Sequence, residues 1–323
     1  MIAEMPRYGM TLPLTGLPLH AHADAVRELS DLGYTDLWSS EGPGYDGFTP
    51  LALAAAWAPE PRLGTAICPV FTRGPALLAS SAASLAAAAP GRFVLGIGTS
   101  SDVIVERWNG IPFEKPYART RDTLRFLRSA LAGEKVDEEY ETFAVRGFRL
   151  GVALDEPPKL MVAALREGML RLAGRHSDGA ILNWLSADDV ATVAPIVKQF
   201  GSDREIVARI FVCPDPDAER VRAMGRRAAS AYLHVPVYAA FHEWLGRGEL
   251  LAGAWKSWRE GDRKRSLELL PDRVVDDLIV HGPPEACREH IARYVANGVD
   301  TVVLQVMGDV DPLQAARGGP GGG

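Results

Sequence analysis

The segment best suited to hold a ligand is Gly96-Ile-Gly98-Thr99-Ser100-Ser101, which closes the apolar run Phe93–Gly98. Small residues and hydroxyls at the end of a buried strand let the backbone approach a flat or phosphorylated molecule. A Gly-x-Gly alone carries little weight, because the same residues also make an ordinary turn between strand and helix. Other chemistries leave no pattern. Cys68, Cys213 and Cys287 are scattered, so neither a zinc site nor a disulfide framework is indicated, and a reduced, cytoplasmic compartment is expected. The 7 histidines have no metal-ligand spacing; His20 and His22 sit two apart, and read as surface or helix-start residues before they read as a ligand pair. There is no Gly-x-Ser-x-Gly elbow and no Walker sequence.

The elements that would position this segment follow from composition and patterning. With 323 residues, 47% hydrophobic, 24% charged and a net charge of −6, the chain has an ordinary globular composition. Nucleic acid is not an expected partner, since no basic excess exists. Membrane insertion is not expected either: the least polar stretch, Pro75 to Pro90, is rich in alanine and serine and suits a packed helix. Met1-Ile-Ala-Glu-Met-Pro6 lacks the character of a signal peptide. Residues 1–315 are expected to form one domain, followed by a disordered glycine-rich tail over 316–323.

Short apolar runs alternate with amphipathic stretches, as in repeated β-α units around a parallel sheet. Strands are expected at Arg7 to Leu12, Asp36 to Ser40, Leu63 to Pro69, Phe93 to Gly98, Lys159 to Ala164, Gly179 to Asn183, Glu205 to Val212 and Thr301 to Val306. Helices lie between them, with Gly33 as a C-terminal stop, Pro75 near a helix start and Ser186 as an N-cap. The alternation from Val136 to Leu150 predicts a small hairpin after helix four. Residues 218–277 are too long for one crossover helix and predict a helical insertion. The resulting fold is α/β, a (β/α)8 TIM barrel; a doubly wound open sheet is the runner-up. A barrel places its site at the C-terminal strand ends. That rule nominates Leu12 to Leu14, Ser39 to Gly42, Cys68 to Phe71, Gly98 to Asp102, Ala164 to Gly168, Asn183 to Leu185 and Met307 to Asp309.

Two stretches carry a family resemblance. Gly64-Thr-Ala-Ile-Cys-Pro-Val-Phe-Thr-Arg-Gly-Pro75 and Pro90-Gly-Arg-Phe-Val-Leu-Gly-Ile-Gly98 resemble strands three and four of the luciferase-like monooxygenase superfamily. Together with Glu106-Arg-Trp-Asn-Gly-Ile-Pro-Phe113 and Pro116 to Asp122, they look most like its branch dependent on coenzyme F420, a deazaflavin. The resemblance implies hydride transfer between this coenzyme and a small organic substrate, commonly in a homodimer. It implies a non-prolyl cis bond at Ala66–Ile67 whose bulge backs the ring, with Ser40 and Cys68 beside it. Gly98, Thr99 and Ser100 would border the cofactor. Ala164, Leu165, Arg166 and Gly168 would receive its phosphate at a helix start. Here relatives often have paired glycines; Gly168 is displaced, and Arg166 reads either as a phosphate contact or as a solvated arginine. Relatives often follow the acid after strand two with histidine; this chain has Glu41-Gly42, which makes Glu41 the candidate catalytic acid or a carboxylate paired with an arginine. Ser101 stands where relatives have a carboxylate. Leu14, Phe71, Trp108, Asn183 and Trp184 are the candidate substrate wall. Two alternatives stay open: an FMN-dependent monooxygenase of the same superfamily, and a non-catalytic cofactor-binding protein.

Overall fold

Eight strands pair in parallel and close on themselves in the computed structural model, which describes residues 5–321. They are β1 (Arg7–Leu12), β2 (Asp36–Ser39), β3 (Arg62–Thr65), β4 (Phe93–Gly98), β5 (Lys159–Ala163), β6 (Gly179–Asn183), β7 (Glu205–Cys213) and β8 (Thr301–Val306). Each pairs with the next, and β8 pairs with β1, with Arg7 opposite Thr301. The fold is therefore the (β/α)8 barrel expected from the repeated pattern.

The inward side chains form three levels. At the N-terminal end, Arg62 bridges two carboxylates, 2.6 Å from Asp36 and 2.6 Å from Glu205, and Thr301 donates to Glu205 at 2.6 Å. Burial works against the Glu205 charge, but the Arg62 guanidinium overrides it and holds the carboxyl down at about 2. Above this lies an apolar level of Trp38, Val94, Met161, Ile181, Val207 and Val303. Because strand side chains alternate, two residues further on brings Asn183, Arg209 and Gln305 inward at the C-terminal end, beside Thr11 of β1.

Helices α1 (His22–Asp31), α2 (Thr49–Trp57), α3 (Pro75–Ala88), α4 (Pro116–Leu131), α5 (Glu167–His176) and α6 (Ala187–Lys198) follow the first six strands. Ser186 caps α6 in a reciprocal pair with Asp189, as expected. The hairpin is present as Val136–Glu139 against Ala144–Phe148. The insertion comprises α7 (Ala218–Leu233), α8 (Pro236–His242), α9 (Gly248–Arg259), α10 (Arg263–Glu268) and α11 (Asp272–Leu278). Its own apolar cluster, with Val221, Leu233, Leu251 and Val274, reaches the barrel through Phe211 and Trp184. Helices α12 (Pro284–Ala296) and α13 (Pro312–Arg317) flank β8.

Four local features differ from expectation. The third strand is interrupted: β3 ends at Thr65 and Cys68–Pro69 resumes pairing with β4, although the Ala66–Ile67 bond between them is cis, as the resemblance implies. Leu12–Pro13 is cis as well. Ile279–His281, where no strand was expected, is a short strand added beside β7. The tail does not lose its structure at 316: Ala316 is buried, its carbonyl accepts from the Tyr34 hydroxyl at 3.1 Å, and the glycines after Arg317 lie flat against that ring, where a Cβ at Gly321 would stand 3.0 Å from it. Residues 322–323 lie outside the described residues. No helix among the described residues is long and apolar enough to cross a membrane.

Candidate functional site

The loops after β2 and β3 are zipped together at the barrel mouth. Ala66 N–H donates to Ser39 O at 2.6 Å, and Glu41 N–H donates to Ile67 O at 3.2 Å. This brings Ser40, Glu41, Ala66, Ile67 and Cys68 into one cluster. Glu41 is fully engaged: Arg73 Nε lies 2.9 and 3.2 Å from its two oxygens, and Thr72 donates at 3.4 Å. The same guanidinium stands 3.6 Å from Asp46 and 4.9 Å over the Phe48 ring. Of the two roles weighed for Glu41, the arginine pair is the one its contacts show. Cys68 is buried with its sulfur 3.8 Å from Glu41 Oε2; burial, then the Glu41 charge, push the thiol well up, so it stays neutral.

Gly98 sits where β4 meets this cluster. A Cβ there would lie 2.9 Å from the Ala163 methyl and 3.2 Å from Ile67, so only glycine leaves the backbone clear. Val70 N–H donates to Gly98 O at 2.9 Å. Ser100 follows in the left-handed region, φ 61°. At the next strand end, Ala164 is buried and Arg166 is exposed at the start of α5, with no side-chain cap to the helix. The first-turn carboxylate Glu167 is tied to Arg171 at 2.7 Å, and Gly168 has open space around its Cα.

The candidate substrate wall is only partly assembled. Leu14 and Phe71 are buried, Phe71 packing 5.1 Å from Phe113. Trp108 is 56% exposed. Trp184 is corrected: at 2% exposure it is committed to packing, stacked 4.0 Å from Phe211 and 4.7 Å from Tyr232 at the seam with the insertion. Asn183 does face the mouth, donating to the Tyr238 hydroxyl at 3.0 Å. His22 has both ring nitrogens in use, accepting from Leu14 N–H at 2.8 Å and facing Pro18 O at 3.0 Å.

Sequence reasoning missed three mouth residues: Thr11, Arg209 and Gln305. Arg209 Nη2 donates to Gln305 Oε1 at 2.5 Å, while Arg209 Nε, Asn183 Oδ1 and Thr11 Oγ1 are sealed from solvent without a partner. The signal was available: an arginine inside the apolar run Ile206–Cys213 is a charge that a buried strand must account for.

A closed parallel barrel with a small-residue wall facing polar side chains across its C-terminal mouth defines the class, a (β/α)8 ligand-binding barrel. A profile of the luciferase-like monooxygenase family matches residues 5–301, and the chain belongs to that family; it is an oxidoreductase. It is similar to a Mycobacterium tuberculosis protein named as a coenzyme F420-dependent oxidoreductase, 28% identical over an alignment of 331 positions, gaps included, that covers 89% of this chain and 91% of the relative. Among solved structures it superposes on the coenzyme F420-dependent tetrahydromethanopterin reductase of Methanopyrus kandleri with TM-score 0.81, 19% identity and 97% of each chain covered. It also superposes on an F420-dependent secondary alcohol dehydrogenase in complex with an F420-acetone adduct, with TM-score 0.79, 14% identity and 99% of each chain covered.

Proposed function

We propose that this protein is an F420-dependent oxidoreductase acting on a small organic substrate. The observation that carries the reading is the cradle at the mouth: Gly98, against Ala163 and Ile67, leaves no side chain between β4 and a flat ligand, and unpartnered polar atoms stand across from it. The deazaflavin, when bound, supplies two-electron hydride chemistry, having carbon where a flavin has N5. The chain's part is to orient and enclose. Ile67, with Ser40 and Cys68, supports the ring; Gly98, Thr99 and Ser100 border it; Ala164, Leu165, Arg166 and Gly168 take the charged tail, where the first N–H groups of α5 favour an anion. Because its oxygens are already held by Arg73, Glu41 is assigned to fastening the two loops rather than to proton transfer. The names of the relatives support the deazaflavin over FMN.

The test is a parallel titration of the purified protein with coenzyme F420 and with FMN, followed by cofactor fluorescence. Saturable binding of F420 with FMN much weaker supports the reading. Preference for FMN moves the protein to the monooxygenase reading, and binding of neither rejects the site assignment.

A further inference from the structure

The inner level at the barrel mouth is divided by chemistry. Ala66, Gly96, Gly98 and Ala163 on the β3–β5 side offer no polar side chain. Across the barrel axis, where β7 faces β3 and β8 faces β4, stand Asn183, Arg209 and Gln305, with Tyr238 reaching in from α8. Arg209 is the cation of this group. Its only recorded hydrogen bond goes to Gln305, its guanidinium lies 5.3 Å from the Phe211 ring, and among the described residues no acidic side chain pairs with it. The residue as a whole is only half-buried, although its Nε is sealed from solvent. Burial pushes the Arg209 pKa down, the ionisable neighbours being Tyr232 and Tyr238.

A buried cation without a counter-charge is costly, and so is an amide oxygen without a donor. Here a guanidinium N–H is unmatched, and the unmatched Asn183 oxygen, directly opposite Arg209 in register, is an acceptor that suits the guanidinium and not an anion. A ligand carrying oxygens of negative charge would meet the guanidinium, whose planar fork fits two such oxygens. The surroundings, Phe211 and the apolar level below, suit an apolar body rather than a second charge.

We propose that Arg209 receives the carboxylate of the substrate, so that this enzyme acts on a small organic acid with an otherwise apolar body. The inference deepens the hydride-transfer reading above by naming the substrate class, and rests on that reading only for the word substrate. The carboxylate receptor itself is testable without cofactor.

Crotonate and its uncharged counterpart crotonamide are titrated into the protein, with and without F420, while the Arg209 Nε–H resonance is followed by 15N NMR. The expected result is a saturable shift with crotonate and a response at least about tenfold weaker with crotonamide, the loss of one charge-assisted hydrogen bond. Arg209→Gln removes the crotonate response, read by calorimetry, and keeps F420 binding. Gln305→Glu, which keeps the side-chain shape and supplies a built-in carboxylate, removes it too and raises Tm, so the answer does not hang on whether Arg209→Gln folds. No saturable shift in the wild-type protein, or an equal response to the amide, overturns the proposal. Loss of F420 binding in a folded Arg209→Gln protein also overturns it, because the arginine then serves the cofactor. Crotonate binding in a protein that binds no F420 sustains this receptor while rejecting the function proposed above.

Discussion

Gly98 shows how tightly one residue can constrain this site. Ala163 and Ile67 already fill the space that a Cβ would need. Gly98→Ala therefore has to push a strand aside, an overpacking cost of about 1–3 kcal/mol. We expect a lowered Tm together with weaker F420 binding, whereas Gly168→Ala, with open space around it, should leave the unfolding free energy within about 1 kcal/mol of wild type. Thermal melts and cofactor titrations of the two variants check this; equal behaviour would dismiss the cradle. Gly98 was legible in the sequence through the apolar run it ends together with the family resemblance, since small residues there would serve an ordinary turn equally well. The partners of Glu41 and the burial of Trp184 were not: Arg73 lies in a different loop, and the Trp184 stack depends on how the insertion folds back. Arg209 was overlooked for a related reason. Parallel strands buried on both faces read as continuous apolar runs, so the pattern does not reveal which side chains point into the barrel.

Among the elements, strand ends were legible where apolar runs stop at glycine or a polar residue, as at Phe93–Gly98, Gly179–Asn183 and Thr301–Val306, each found at the expected bounds. The added strand Ile279–His281 comes from pairing with a distant partner, which local pattern does not encode, whereas the break in the third strand falls at the Ala66–Ile67 bond that the resemblance singled out. What ties the strands together at the N-terminal end is the Arg62 network, joining β2, β3, β7 and β8. Asp36 there is fully buried and Glu205 nearly so; Arg62 is the cation they share, with Arg7 also 2.7 Å from Asp36 and Lys159 3.8 Å from Glu205. Arg62→Leu leaves two buried carboxylates facing each other and should destabilise the barrel by about 3–5 kcal/mol at pH 7. The pH response gives a sharper check. In the wild-type protein the depressed Glu205 pKa makes stability fall as pH drops from about 4.5 towards 2. Without the arginine, only Thr301 and Lys159 still oppose burial, so the protonated form of Glu205 gains ground. The stability gap between variant and wild type should narrow as urea melts move from pH 7 to pH 4.5. A gap that stays constant would assign the loss to packing instead of charge.

On the scale of the whole molecule, the Arg62 network and the buried histidines of the insertion answer acid in different windows, with His290 of α12 also shifted down by burial. The insertion holds two histidines, His234 and His242, both pushed down to about 4 by burial, with Arg263 and Arg247 respectively adding to it. Between that value and the ordinary 6.5, the unfolded chain binds protons that the folded chain refuses, so each fall in pH favours unfolding. The barrel's Glu205 contributes only further down, from about 4.5 to 2. Acid should therefore act on the α7–α11 region first, and through Trp184 and Phe211 on the wall that carries Asn183 and Arg209. His242 is the group to remove, since its side chain is fully buried. For His242→Leu we expect the loss of stability between pH 7 and pH 4.5 to shrink by roughly 2 kcal/mol, with a residual loss from His234 and an unchanged limb below pH 4. Denaturant melts at pH 7, 4.5 and 3 measure this, and hydrogen exchange at pH 5 adds the spatial reading. If amides of α8 and α9 exchange no faster relative to β4 at pH 5 than at pH 7, the histidines do not set the acid limit, and the insertion and barrel titrate as one unit.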